Sequence, residues 1–330
     1  MRLLVTGGAG FLGSHLCDAL LARGDDVVCL DDLSSGRRSN VAHLLGESRF
    51  TFIEADVRAE IELPTRVDAI AHLASPASPP DYLSRPLDTL TTGSHGTLSA
   101  LRLAEAHGAR FVLASTSEVY GDPLVHPQPE TYWGNVNPVG PRSVYDEAKR
   151  FAEALTVAYR TARRVDAGII RIFNTYGPRM RADDGRAVST FIVQALNGDP
   201  LTACGNAHQT RSFCFVDDLI RGVVAMLDSS EPGPINLGNP DEKSIEELAQ
   251  LVVRLTGSAS HITYCPLPED DPVRRKPVIE RATQRLGWTP SVPLEAGLAR
   301  TIEWFRQQPL EVAAESVQPP CQRQCREAAP

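Results

Sequence analysis

The chain has 330 residues, with 33 Lys+Arg against 41 Asp+Glu and a formal net charge of −8, enough length for one large domain or two small ones and for a core that needs no staples. The acidic balance weighs against a nucleic-acid binder, 42% hydrophobic and 22% charged residues weigh against disorder, and no apolar run approaches the ~18 residues of a membrane span. The opening apolar stretch runs straight into a glycine-rich turn, so no secretory leader is expected and the protein reads as cytoplasmic, with no membrane partner. Seven scattered cysteines without Cys-x-x-Cys spacing read as reduced thiols. No His/Cys/Asp cluster has metal spacing, so no metal is predicted.

In chain order, Leu3 to Thr6 is a short apolar run ending in glycines, hence a buried strand. Phe11 to Arg23 has helical apolar spacing, and Gly24 can stop that helix. Val27 to Leu30 is the next strand and ends at Asp31. Apolar runs at 50–54, 69–73, 111–115 and 168–173, with helices between them, repeat the pattern. Such alternation predicts an α/β fold, a Rossmann-type doubly wound parallel sheet covered on both faces. After Gly177 the composition turns to Arg, Asp, Gly and Pro, and helices recur at about 188–197, 217–228, 243–256 and 294–306. We expect a dinucleotide domain over 1–177 plus about 215–240, a smaller C-terminal α/β substrate-binding domain over 178–214 and 241–308, and a mobile tail over 309–330.

The glycines at 7, 10 and 13 follow a strand and open a helix. In this spacing Gly7 permits a tight turn, Gly10 lets backbone approach a pyrophosphate, and Gly13 lets helix and strand pack closely; Phe11 and Leu12 lie between them. Asp31, 18 positions after Gly13, can accept hydrogen bonds from a ribose and repel a 2′-phosphate, which favours NAD over NADP. Arg37 and Arg38 would cut the other way. Asp32, Ser34, Ser35 and Gly36, then Asp56 and Val57, then Leu73 and Ser75, complete the candidate cofactor contacts. Tyr145 and Lys149 stand four apart on one helical face. A tyrosine with pKa ~10 becomes a usable base only beside positive charge, which Lys149 supplies. Thr116, Ser117 and Glu118 follow an apolar strand, at the edge where open α/β sheets bind ligands.

Together these features resemble the extended short-chain dehydrogenase/reductase superfamily. The segments 72–79 (HLASPASP), 113–122 (LASTSEVYGD), 132–134 (YWG), 172–180 (IFNTYGPRM), 184–186 (DGR) and 209–211 (QTR) narrow this to the UDP-glucuronate decarboxylase, or UDP-xylose synthase, family. The resemblance runs from Met1 to about Gln307. It implies Tyr145 as base, Lys149 as its cation, Thr116 as the hydroxyl on the reacting sugar alcohol, Glu118 as a catalytic carboxylate, and Ser117, Asn174, Arg186, Arg211 and Arg275 as substrate contacts. It further implies bound NAD recycled in each turnover, UDP-glucuronate as substrate, UDP-xylose and carbon dioxide as products, and a homodimer paired through helices at about 88–107 and 143–163. Ser117 stands where the related 4,6-dehydratases carry an aspartic acid that expels water. The readings kept beside it are a UDP-glucuronate 4-epimerase, a decarboxylase that releases UDP-4-keto-pentose, and a non-catalytic NAD-binding scaffold. Thr91, Gly93, Cys204 and Val278 depart from the family pattern.

Overall fold

The computed structural model describes residues 1–205 and 209–308. Seven strands form the central sheet: β1 (Arg2–Thr6), β2 (Asp26–Asp31), β3 (Phe50–Glu54), β4 (Ala69–His72), β5 (Arg110–Thr116), β6 (Ala167–Ile172) and a last strand, Ile235–Leu237. The sheet order runs from Ile235–Leu237 through β6, β5, β4, β1 and β2 to β3, and every pairing is parallel. Side chains alternate across a strand, so β1 feeds two cores: Leu3 and Val5 pack on one face, Leu4 on the other. The chain order reverses between β1 and β4, which opens a crevice at the carboxyl ends of these strands. The expected tail over 309–330 lies outside the described residues.

Helix α1 (Phe11–Arg23) starts at Gly10 with no side-chain cap and no acidic residue in its first turn, so its positive end faces the crevice unshielded. It ends at Gly24, which takes the left-handed conformation at φ 100°. On the other face, Pro86–Thr91, a π-helical turn at Thr92–Gly96 and Thr97–His107 run on from one another and pack against the long helix Ser143–Arg163. A Cβ on Gly93 would lie 2.7 Å from the Ala148 Cβ. Glycine there permits the close approach of these helices, which is the physical content of that departure.

The second region joins Thr210–Ser212 to Glu242–Ser244 and Arg274–Arg275, and Leu201–Cys204 to Ile262–Cys265. The expected helix at 243–256 begins two residues later, at Ile245, because Ser244 and Glu247 close a capping box and Glu242–Ser244 is recruited as a strand. Among the described residues no helix is long and apolar enough to cross a membrane, and no group of three or more His, Cys, Asp or Glu could hold a metal. Cys17, Cys29 and Cys214 are free and buried. Cys265 is disulfide-bonded, so the reading of seven reduced thiols does not hold for it.

Candidate active site

One cavity of about 450 Å³ runs from the glycine turn to the loop at 267–272. At its first end the turn is fixed by clearance. A Cβ on Gly7, at φ 70°, would lie 2.8 Å from the Ala74 backbone, and one on Gly13 would collide with the Gly7 carbonyl and lie 2.7 Å from the Gly8 Cα. Asp31 ends β2; its carboxylate accepts from the Ala9 N–H at 2.9 Å and the Leu33 N–H at 2.8 Å. Burial raises its pKa, while these backbone donors pull it down. Gly36 abuts this carboxylate, since a Cβ there would come 2.6 Å from it. Asp32 accepts from the Ser34 N–H. Phe11, Leu12, Ser34, Ser35, Val57, Leu73 and Ser75 line the same end. Asp56 does not; its carboxylate is taken by Arg58, with Oδ2 2.8 Å from Nε. Arg37 and Arg38, the residues that could hold a 2′-phosphate, face Asp183 and Glu54, each at 3.6 Å.

In the middle, Thr116 ends β5 and Tyr145 projects from the first turn of Ser143–Arg163. Both line the cavity with Lys149. The Lys149 ammonium donates to the Ala114 carbonyl at 2.8 Å and lies 5.9 Å from the Tyr145 ring centre. Burial pushes Lys149 down to about 8, against the favourable charge of Glu153. Burial pushes Tyr145 up to about 12, eased by Arg186 and by a hydrogen bond with Thr116. The phenol is therefore protonated at neutral pH until more positive charge reaches it. His72 is fully buried between the Thr6 and Thr97 hydroxyls and held neutral, its pKa pushed to about 3 by burial.

At the far end, Glu118 meets Arg142 at 2.6 Å and Arg275 at 3.3 Å. Burial would raise its pKa, but Arg275 and Arg142 outweigh that and hold it at about 2. Glu118 is thus a fixed anion. Arg142 and Arg211 share Asp271, at 3.3 and 2.9 Å. Ser117, Asn174, Arg186 and Arg211 line the cavity, and Arg186 also donates to the Ala77 carbonyl at 2.7 Å. Arg275 does not line it. It is 1% exposed and turned onto the Ser117 and Gly121 carbonyls and Glu118, so the structure places it beneath the site. Of the departures, Cys204 lines the cavity, whereas Thr91 bonds its own helix at the Leu87 carbonyl.

Sequence reasoning missed Tyr82, Arg142 and Asp271. Tyr82 stacks on Tyr145 with ring centres 5.1 Å apart and planes at 8°, and its buried hydroxyl has no hydrogen-bond partner among the described residues. Its signal was position, three residues past the 72–79 stretch. Arg142 lies one helical turn before Tyr145, whereas Asp271 sits in a polar loop with no local signal.

The model of the NAD dependent epimerase/dehydratase family matches residues 3–238. The chain is 52% identical over 307 residues to UDP-glucuronic acid decarboxylase 1 of Xenopus tropicalis, covering 93% of this chain and 72% of that protein. It is also 52% identical to UDP-glucuronic acid decarboxylase 4 of Arabidopsis thaliana, covering 93% and 69%. Among solved structures it is similar to a UDP-glucose 4-epimerase with UDP-glucose from Thermotoga maritima, at TM-score 0.86 and 29% identity, over 93% of this chain and 99% of that one. A dTDP-glucose 4,6-dehydratase of Streptomyces venezuelae with NAD bound has TM-score 0.84 and 30% identity, over 93% and 98%. With the glycine turn, the Tyr145–Lys149 pair and Ser117–Glu118 gathered in one cavity, these likenesses establish that the chain belongs to the NAD dependent epimerase/dehydratase family, among its UDP-glucuronic acid decarboxylases.

Proposed function

We propose that the protein is an NAD-dependent carboxy-lyase that converts UDP-glucuronate to UDP-xylose and carbon dioxide. The observation that carries this reading is one cavity that joins Thr116, Tyr145 and Lys149 to an arginine-rich end, with Ser117 in place of an acid beside Glu118. The residues present fit NAD. Gly7, Gly10 and Gly13 would leave room for the pyrophosphate at the bare N-terminus of α1, and Asp31 would hold the adenosine ribose. When bound, NAD supplies a hydride acceptor at the sugar C4 and later returns the hydride.

The chain's own residues then have separable tasks. Tyr145 takes the proton of the sugar 4-hydroxyl, and Lys149 stabilises the phenolate. Thr116 orients the 4-oxygen. Oxidation at C4 makes the sugar a β-keto acid, so carbon dioxide leaves without an acid catalyst and the electrons settle as an enolate. The protonated Tyr145 donates a hydrogen bond to that enolate oxygen; a proton then adds at C5, and Tyr145 gives its proton back to the 4-oxygen as C4 is reduced. A planar guanidinium fork suits the diphosphate or the carboxylate, which is the work assigned to Arg186 and Arg211. Arg275 acts on the substrate through Glu118 and the Ser117 backbone.

Residues 1–177 with about 215–240 form the dinucleotide domain, and 178–214 with 241–308 the substrate domain. The enzyme is cytoplasmic and homodimeric; exposed Leu90, Phe151 and Val157 on the helices at about 88–107 and 143–163 support pairing through them. Incubation with UDP-glucuronate and mass spectrometry of the product tests the reading. Loss of carbon dioxide with a UDP-pentose product is expected. UDP-galacturonate would mark an epimerase, and accumulation of NADH with a UDP-4-keto-pentose would mark early release. Loss of water would overturn the reading.

A further inference from the structure

The helix Ser143–Arg163 carries Tyr145, Lys149 and Glu153 at four-residue intervals, so the three project from one stripe. The last two grip neighbouring residues of β5. Lys149 Nζ donates to the Ala114 carbonyl at 2.8 Å, and Ser115 Oγ donates to Glu153 Oε1 at 2.6 Å. Glu153 also accepts a two-pronged bond from Arg171, Nε to Oε1 at 2.9 Å and Nη2 to Oε2 at 2.7 Å. Arg171 is the residue of β6 paired in register with Ser115. Both side chains of this ion pair are largely buried, at 12% and 13% exposure. One carboxylate therefore ties the helix of the base to two strands, one residue before Thr116.

We propose that Glu153 is a positioning residue for the Tyr145–Lys149 pair: it locks the helix against β5 and β6 and sets a carboxylate one helical turn from Lys149 as its counter-charge. The inference rests on Tyr145 as base and Lys149 as its cation. The groups facing Lys149 are Tyr145 and Glu153 from its own helix, the neutral His72 from β4 and the Ala114 carbonyl from β5. Burial pushes the ammonium toward deprotonation, to about 8, and Glu153 acts against it. Without Glu153 the ammonium would lose its proton at lower pH, and with it the charge that makes a phenolate accessible. Arg171 has the opposite effect, since it neutralises Glu153.

The chain has three lysines, Lys149, Lys243 and Lys276, so isotope-labelled lysine gives three side-chain NMR signals, and Lys149→Met assigns the one of interest. The titration of Lys149 is read without substrate in wild type, Glu153→Gln, Arg171→Gln and the double variant Glu153→Leu/Arg171→Leu. The double variant replaces a buried pair by apolar groups of similar volume, a change proteins often tolerate, and so carries the reading if Glu153→Gln does not fold. The Lys149 midpoint is expected to fall by about one pH unit in Glu153→Gln, and by less in the double variant, which also removes the opposing Arg171 charge. The upper limb of the pH–rate profile on UDP-glucuronate should fall with it. In Arg171→Gln the midpoint should stay or rise. An unmoved midpoint in both variants lacking Glu153, or an equal fall in Arg171→Gln, would reduce Glu153 to a structural tie and overturn the proposal. A wild type that titrates as expected but does not decarboxylate UDP-glucuronate would instead sink the functional reading.

Discussion

The glycine turn and the arginine–carboxylate cluster sit at opposite ends of one cavity, and both are built to meet anions. The turn does it with backbone. Gly7, Gly10, Gly13 and Asp31 lie within a short stretch of sequence, and the constraint on them is volume, because added side-chain atoms strike the Gly7 carbonyl or the Ala74 backbone. The cluster does it with charges that cancel one another. Glu118, Arg142, Asp271, Arg211 and Arg275 come from distant segments, Glu118 and Arg275 being 157 residues apart. The first end should therefore tolerate changes of charge better than changes of size, and the second the reverse.

The largest effect tests the first half of that contrast. Gly13→Val adds volume and no charge, and purified protein should carry no NAD and show no turnover, as read by nucleotide released on denaturation. Tyr145→Phe, between the two ends, should lower turnover by at least about 10²-fold, the scale of one general base, while NAD content stays at the wild-type level.

Arg142→Met tests the other half, since it nearly conserves volume and removes charge. It leaves Glu118 with one partner fewer, and breaking a buried ion pair costs about 3–5 kcal/mol. A lowered thermal midpoint is expected, partly recovered in Arg142→Lys; equal stability of Met and Lys variants would break the comparison. The pH dependence sharpens it. Glu118 has a folded pKa depressed from 4.5 to about 2, so its stabilisation is present above 4.5 and lost as pH falls toward 2. Acid unfolding of wild type should steepen in that window, and Glu118→Gln should lack that component. The smallest effect is at Asp31. Asp31→Ala would remove both the ribose bonds and the 2′-phosphate repulsion proposed for Asp31, and should narrow the expected preference for NAD over NADP by about tenfold, the scale of one charged hydrogen bond. Because Arg37 and Arg38 are engaged by Asp183 and Glu54, NADP should not become the better cofactor.

The sequence by itself determined the parts that rest on local patterns. Alternating apolar runs placed β1 to β6 within a residue or two, glycine spacing with Gly24 bounded α1, and four-residue spacing put Tyr145 and Lys149 on one face. Phase along a strand or helix is a property of neighbouring residues, so it is legible without a fold. Tertiary structure decided the rest. That Arg275 lies under Glu118 and not in the cavity, that Tyr82 stacks on Tyr145, and that Glu153 pairs with Arg171 all depend on contacts between segments apart in sequence. A buried charge goes to whichever partner the packed chain brings within hydrogen-bond reach, because desolvation makes any unpaired state costly. No local spacing records which partner that will be.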